Sequence, residues 1–153
     1  MHDSLGRHLS GTHRGELQVK ERKGRLLKVA FIAGAITDVG ALLPMLSPRL
    51  AGLLWGLRDM PASYRLAMGS GASLMLGWTI LLVWAYQRPI ERRAIAAFTM
   101  VVIVGLILAE IWAVRTGVLA AGRMAPTFAL QSVLLGLFGA AFYSGRAERS
   151  VAA

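Results

Sequence analysis

Two carboxylates carry what chemistry this chain can offer. Asp38 and Glu110 each stand inside an otherwise apolar stretch. An ionisable residue near the centre of a membrane helix costs roughly 2.5 to 3.5 kcal/mol on insertion scales, so it persists where it is paired or useful. On an ideal helix Asp38 lies about nine residues, or roughly 13 Å, from the far end of its stretch. Ser73, Gln131 and Ser132 fall near that level when their own stretches are read as antiparallel helices, so a shared polar cluster is geometrically open. Asp38 then has two readings: hydrogen-bonding glue between helices, or a ligand, cation or proton site. Glu110 stands four residues from the end of its stretch. It either pairs with Arg115 or Arg123 at the interface or turns inward toward Thr127 and Gln131. Turned inward, it would form with Asp38 an acidic cavity suited to a cationic or amine-bearing amphiphile.

Other site chemistries find no support. The chain has no cysteine, which removes disulfides, thiolate metal sites and cysteine nucleophiles. His2, His8 and His13 all lie near the N-terminus, leaving no intramembrane histidine for metal or proton relay, and no metal or cofactor is expected. Gly69, Ser70 and Gly71 lack the Gly-Lys-Ser/Thr continuation of a phosphate loop. No serine is placed with a His or Lys for nucleophilic attack. On ideal geometry Asp38 and Glu110 differ in depth by about 7 Å, which argues against a paired-carboxylate catalyst. Enzymatic activity therefore has no positive indication.

The elements that must hold these residues follow from composition. Of 153 residues, 56% are apolar and 16% charged, and the mean hydropathy is +0.56. A soluble domain carries about a quarter charged residues, so the solvent is the lipid bilayer. Crossing its hydrocarbon takes about 20 apolar residues as a helix. Four windows qualify, at about 29–46, 66–86, 94–114 and 124–143. The predicted fold is an all-α integral membrane protein, a four-transmembrane-helix bundle spanning 26–145, since backbone groups in lipid must be satisfied within the segment and the connectors are too short for a barrel. Residues 1–25 read as a disordered basic tail and 146–153 as a short second tail. In the first connector, Ser47 and Pro48 give an N-cap and first-turn pair, and Leu50, Leu53, Leu54 and Leu57 repeat at helical spacing between Arg49 and Arg58. This predicts a short interfacial helix, with Trp55 and Tyr64 at headgroup depth and Pro61 turning the chain back. It is a structural lid or a gate over a cavity. Trp84, Tyr86, Trp112 and Tyr143 stand at span ends as an aromatic belt, and Trp78, inside a span, packs in the core or walls a cavity.

Basic residues set the expected orientation. Arg7, Arg14, Lys20, Arg22, Lys23, Arg25 and Lys28 precede the first span, Arg88, Arg92 and Arg93 join the second to the third, and Arg146 and Arg149 follow the fourth. The other side holds only Arg49, Arg58, Arg65, Arg115 and Arg123. Positively charged flanks stay in the cytoplasm, so both termini are expected there, with the protein in the cell (plasma or inner) membrane. The first stretch lacks a cleavage pattern and is expected to remain as a span. The net charge of +9 flanks spans and covers no folded face, which argues against nucleic acid. The cluster before the first span also suits anionic headgroups.

Small residues spaced four apart predict where helices touch. Gly69, Ser73 and Gly77, then Ser132, Gly136 and Ala140, form such stripes, with Gly105 and Ala109 a shorter one and Ala30 and Gly34 leading to Asp38. Packing within the chain is expected, and a homodimer or another membrane protein would use the same stripes. Residues Gly34, Ala35, Ile36, Thr37, Asp38, Val39 and Gly40 resemble the first helix of the small multidrug-resistance exporters, four-helix proteins with a membrane-embedded acid there. The likeness covers those seven residues. It departs in having Asp for the usual Glu, a long basic tail and a strong charge bias. It implies proton-coupled export of hydrophobic cations by a dimer. The residues themselves favour a binding, accessory or scaffold protein with a polar intramembrane pocket around Asp38.

Overall fold

The computed structural model describes residues 4–57 and 61–143, with side chains described from Glu21 onward. Its elements are α1 (Ser4–Leu46), α2 (Pro48–Trp55), α3 (Ala62–Gln87), α4 (Ala94–Arg115) and α5 (Ala121–Tyr143). Residues 21–46 of α1 and the whole of α3, α4 and α5 are each long and apolar enough to cross a membrane. The chain is thus the all-α, four-span membrane protein its composition predicts. Large side chains cover the outside, Leu66 at 73% and Leu74 at 77% exposure among them, which is how a helix facing hydrocarbon reads.

The helix boundaries add detail that periodicity does not supply. α1 is already helical at Ser4, within the segment expected to be disordered. No proline interrupts 4–28, Glu21 and Arg25 have the favourable i, i+4 order, and a long span removes the cost of nucleation, so each added residue need only propagate. Arg58 and the tail 146–153 lie outside the described residues. Near the other end of α1, Pro44 lacks the N–H that would bond the Gly40 carbonyl, and the helix stops two residues later. Ser47 is extended, with φ −116° and ψ 108°, and Pro48 opens α2 as expected, but the Ser47 side chain makes no cap bond. α2 ends at Gly56, whose φ of +75° favours glycine.

Two antiparallel pairs make the bundle. α1 packs against α3 and α4 against α5, and α1 joins the pairs by packing on α5. Although α3 and α4 are consecutive, they are not a packed pair. The apolar core fills the end of the bundle that carries the 88–93 turn: Leu27, Ala30 and Phe31 from α1, Leu82 and Ala85 from α3, Ile95 and Ala96 from α4, Phe138 and Ala141 from α5. Phe31 and Phe138, both fully buried, meet with ring centroids 6.0 Å apart at 58°. Gly34 sits one turn further along. A Cβ there would lie 3.0 Å from Phe138 Cζ and 3.2 Å from Leu82 Cδ1, so the glycine is the hole that receives the Phe138 ring.

The other small residues behave differently from the expectation. Ser73, Gly77, Gly105, Ser132, Gly136 and Ala140 are exposed, Gly69 is half-buried, and a Cβ on Gly69, Gly77, Gly105 or Gly136 would meet nothing within 4 Å. Within this chain those stripes pack against no other helix. Ala72, Thr79, Leu82 and Ala85 turn inward from α3 instead. Gly34→Val should therefore lower stability by about 1 to 3 kcal/mol, as overpacking a filled core does. Gly77→Ala should leave the melting temperature unchanged or raise it slightly through helix propensity. Thermal melts of the two variants in one detergent check this, and equal melting temperatures would contradict the packing described.

Candidate functional site

At the opposite end of the bundle the helices enclose space. A cavity of about 520 Å³ is lined by Thr37, Asp38, Gly40, Ala41, Pro44 and Met45 of α1, Leu54 and Trp55 of α2, Met68 and Met75 of α3, Ile103, Leu106 and Glu110 of α4, and Thr127, Leu130, Gln131 and Leu134 of α5. It exists because α3 and α4 leave their tight turn without packing along their lengths, so nothing fills the gap between the pairs at this level. A smaller cavity of about 140 Å³ adjoins it through Pro44, Met45 and Met68, beneath Ala51 of α2 and beside Tyr64 and Arg65.

Three of the sequence-predicted polar residues converge here. Asp38, Glu110 and Gln131 all line the large cavity. Gln131 Nε2 donates to Glu110 Oε1 at 2.9 Å, so Glu110 turns inward, the second of its two expected roles. Arg123 is committed elsewhere. The depth offset of the two acids on ideal helices does not separate them, since the cavity extends over both levels and Thr127 lines it beside them. The remaining oxygens have no donor: Asp38 Oδ2, Glu110 Oε2 and Gln131 Oε1 are buried and accept no hydrogen bond. No Lys, Arg or His stands among the lining residues. The site therefore holds three orphaned acceptors, two of them from acids, that the other polar groups of the lining do not reach, and a buried acceptor without a partner costs about 1 to 3 kcal/mol, and more for a charged group.

Ser73 and Ser132 do not join it. Each is exposed and spends its hydroxyl on its own helix, Ser73 on the Gly69 carbonyl at 3.1 Å and Ser132 on the Phe128 carbonyl at 2.8 Å. Equal depth placed them with Asp38, but helix rotation, which depth does not report, points them away. Trp78 packs against the core, with its indole Nε1 buried and unpartnered, and does not line either cavity described. Trp55 lines the cavity instead of serving only as an interfacial anchor. Among the described residues no group of three or more His, Cys, Asp or Glu is placed to hold a metal ion.

Sequence reading also missed the clamp on α2. Arg123, near the start of α5, donates from Nη1 to the Leu53 carbonyl at 3.2 Å and the Gly52 carbonyl at 3.4 Å. A cation on the last carbonyls of a helix is favoured by its dipole. Gly56 is needed for the approach as well as for its φ, because a Cβ there would come within 3.1 Å of the Arg123 guanidinium. The only signal in the sequence was an arginine at a span end, which charge counting assigns to topology.

In comparison with known proteins, no family model matches the chain, and no curated protein or solved structure matches it. The likeness of residues 34–40 to the multidrug exporters rests on those seven residues alone.

Because α2 is held at its C-terminal end by Arg123, Arg123→Ala should let it lift. The chain has no native cysteine, so Ala51→Cys, at a site only 2% exposed, reports the opening alone. Labelling by a water-soluble maleimide should be about tenfold faster in the Arg123→Ala background, equivalent to 1.4 kcal/mol in the opening equilibrium. Unchanged labelling would show that α2 is held by its apolar contacts.

Proposed function

We propose that this protein is a membrane-embedded binding protein whose cavity takes the positively charged head of an amphiphile, with Asp38 as the principal counter-charge. A single observation carries the reading: three buried acceptor oxygens, two of them from acids, share one cavity and accept no hydrogen bond. A cation placed there satisfies the oxygens and the charge together. Apart from Thr37, Thr127 and Trp55, the rest of the lining is aliphatic and thioether, which suits a hydrocarbon tail and the adaptable contacts of methionine. A cavity of about 520 Å³ is far larger than one water or ion requires, on the order of 10 to 15 Å³ by this measure.

The reading gives the cavity an address. By the distribution of basic residues, both termini and the 88–93 turn face the cytoplasm, and α2 with the cavity beneath it lies toward the outer face of the cell membrane. Binding is favoured over export by the packing of the other end, where Phe31, Leu82 and Phe138 are fully buried and leave Asp38 no route to the cytoplasmic side. The protein would then act by holding its ligand or by presenting it to a second membrane protein, as an accessory subunit does.

The test is thermal stability in detergent at pH 7 for wild type and Asp38→Asn, with a panel of hydrophobic cations. A binding cation at about 100 times its Kd stabilises by about 2.7 kcal/mol, which should raise the melting temperature of the wild type by several degrees. The shift should be absent in Asp38→Asn. If no cation shifts the wild type, or if the mutant responds equally, Asp38 is hydrogen-bonding glue and the binding reading fails.

A further inference from the structure

Resting on that reading, we propose that the cavity selects a primary ammonium head on a single aliphatic chain, and rejects both quaternary ammonium and phosphate-bearing heads. The argument is a donor count. Asp38 Oδ2, Glu110 Oε2 and Gln131 Oε1 are three buried acceptors lacking donors, supplied by three different helices, α1, α4 and α5. Gln131 is only 8% exposed. One N–H of its amide is given to Glu110, which fixes the orientation of the side chain and leaves its oxygen to accept. A primary ammonium carries three N–H donors at one compact centre. Its donors equal the orphans in number, and it brings the positive charge that two acids without a basic neighbour call for.

A quaternary ammonium fails on both counts. It has no N–H, so the three acceptors would stay unsatisfied in a site it had just closed to water. Such heads are held by the faces of aromatic rings, and the cavity offers one aromatic side chain, Trp55, with no Phe or Tyr. A head that carries phosphate beside its amine brings a negative charge against Asp38 and Glu110, and the lining holds no Lys, Arg or His to receive it. The tail has its own place, since Met45, Met68, Met75, Leu106 and Leu130 line the same space.

The experiment compares ligands on the wild-type full chain, so no variant need fold for it to be read. Thermal shift and calorimetric titration in uncharged maltoside detergent at pH 7 would use dodecylamine, dodecyltrimethylammonium, dodecanol and a single-chain phosphoethanolamine lipid. Dodecylamine should bind at least about tenfold more tightly than each of the others, the difference that loss of one charge-assisted hydrogen bond produces. Gln131→Leu, read alongside its own melting temperature, should narrow the gap between the amine and its trimethyl analogue while both still bind. If the quaternary cation binds as well as the amine, the head selectivity is wrong and the cation-binding reading stands. If dodecanol binds as well as dodecylamine, or if neither cation binds, both fall. Equal binding of the phosphoethanolamine lipid would overturn the exclusion of phosphate.

Discussion

Everything distinctive in this bundle follows from the cost of placing carboxyl groups where water cannot reach them. Hydrocarbon offers no hydrogen bonds, so a polar atom on a membrane span must find its partner inside the protein. Backbone groups meet that demand by forming helix, and the threonines and serines meet it on their own turn, as Thr37 does on the Ala33 carbonyl at 2.9 Å and Thr99 on Ile95 at 2.8 Å. As carboxylates, Asp38 and Glu110 cannot, because carboxylate oxygens only accept and a helix interior has no N–H to spare. One donor, Gln131 Nε2, serves Glu110, and Asp38 Oδ2 has none. The others remain open, and they are the reason this cavity differs from a simple packing defect.

The filled and unfilled ends of the molecule are two outcomes of one geometry. At the 88–93 turn, Arg92 donates to the Trp84 carbonyl and its guanidinium lies 3.4 Å from the centre of the Trp84 ring. Lys28 stands over Tyr86, 5.5 Å from its ring centre. These contacts tie the turn to α3 and α1 to α3 at the same level, where Phe31 and Phe138 fill the middle. Away from that end nothing comparable joins α3 to α4. The space between the pairs is spanned by α2, which Arg123 of α5 hydrogen-bonds at its C-terminal end, so the closed end is filled by packed side chains and the other end leaves a cavity.

Much of this was legible in the sequence, and what was not has a common cause. Span number, the short helix opened by Pro48 and the burial of an acid in span one follow from length, charge and proline position, which are properties of one segment at a time. Convergence of Asp38, Glu110 and Gln131 was half legible: their depths could be counted, but the inward turn of Glu110 depended on whether Arg115 or Arg123 would claim it, and Arg123 bonds α2 carbonyls 70 residues away or more. Ser73 and Ser132 were misplaced because equal depth says nothing about rotation. The helicity of residues 4–25 was not expected because a periodic apolar face was required of it, and a helix continuing from a long span has no such requirement.

Rotation also explains why the most conspicuous small-residue stripes do not hold the chain together. A glycine on a helix face allows another helix to come close, but closeness stabilises only if something occupies the hollow, since association in lipid depends on van der Waals contact. Gly34 has that occupant in Phe138, backed by Leu82. Gly77, Gly105 and Gly136 have none within the chain. What selects the packed face is therefore the pairing of a hollow on α1 with a knob on α5, and the pairing in turn sets the rotation of both helices. With Phe138 seated against Gly34, Gln131 lies two turns along α5 and Asp38 one turn along α1, both on the same inward faces. The contact that closes one end of the bundle is what aims the polar residues into the cavity at the other.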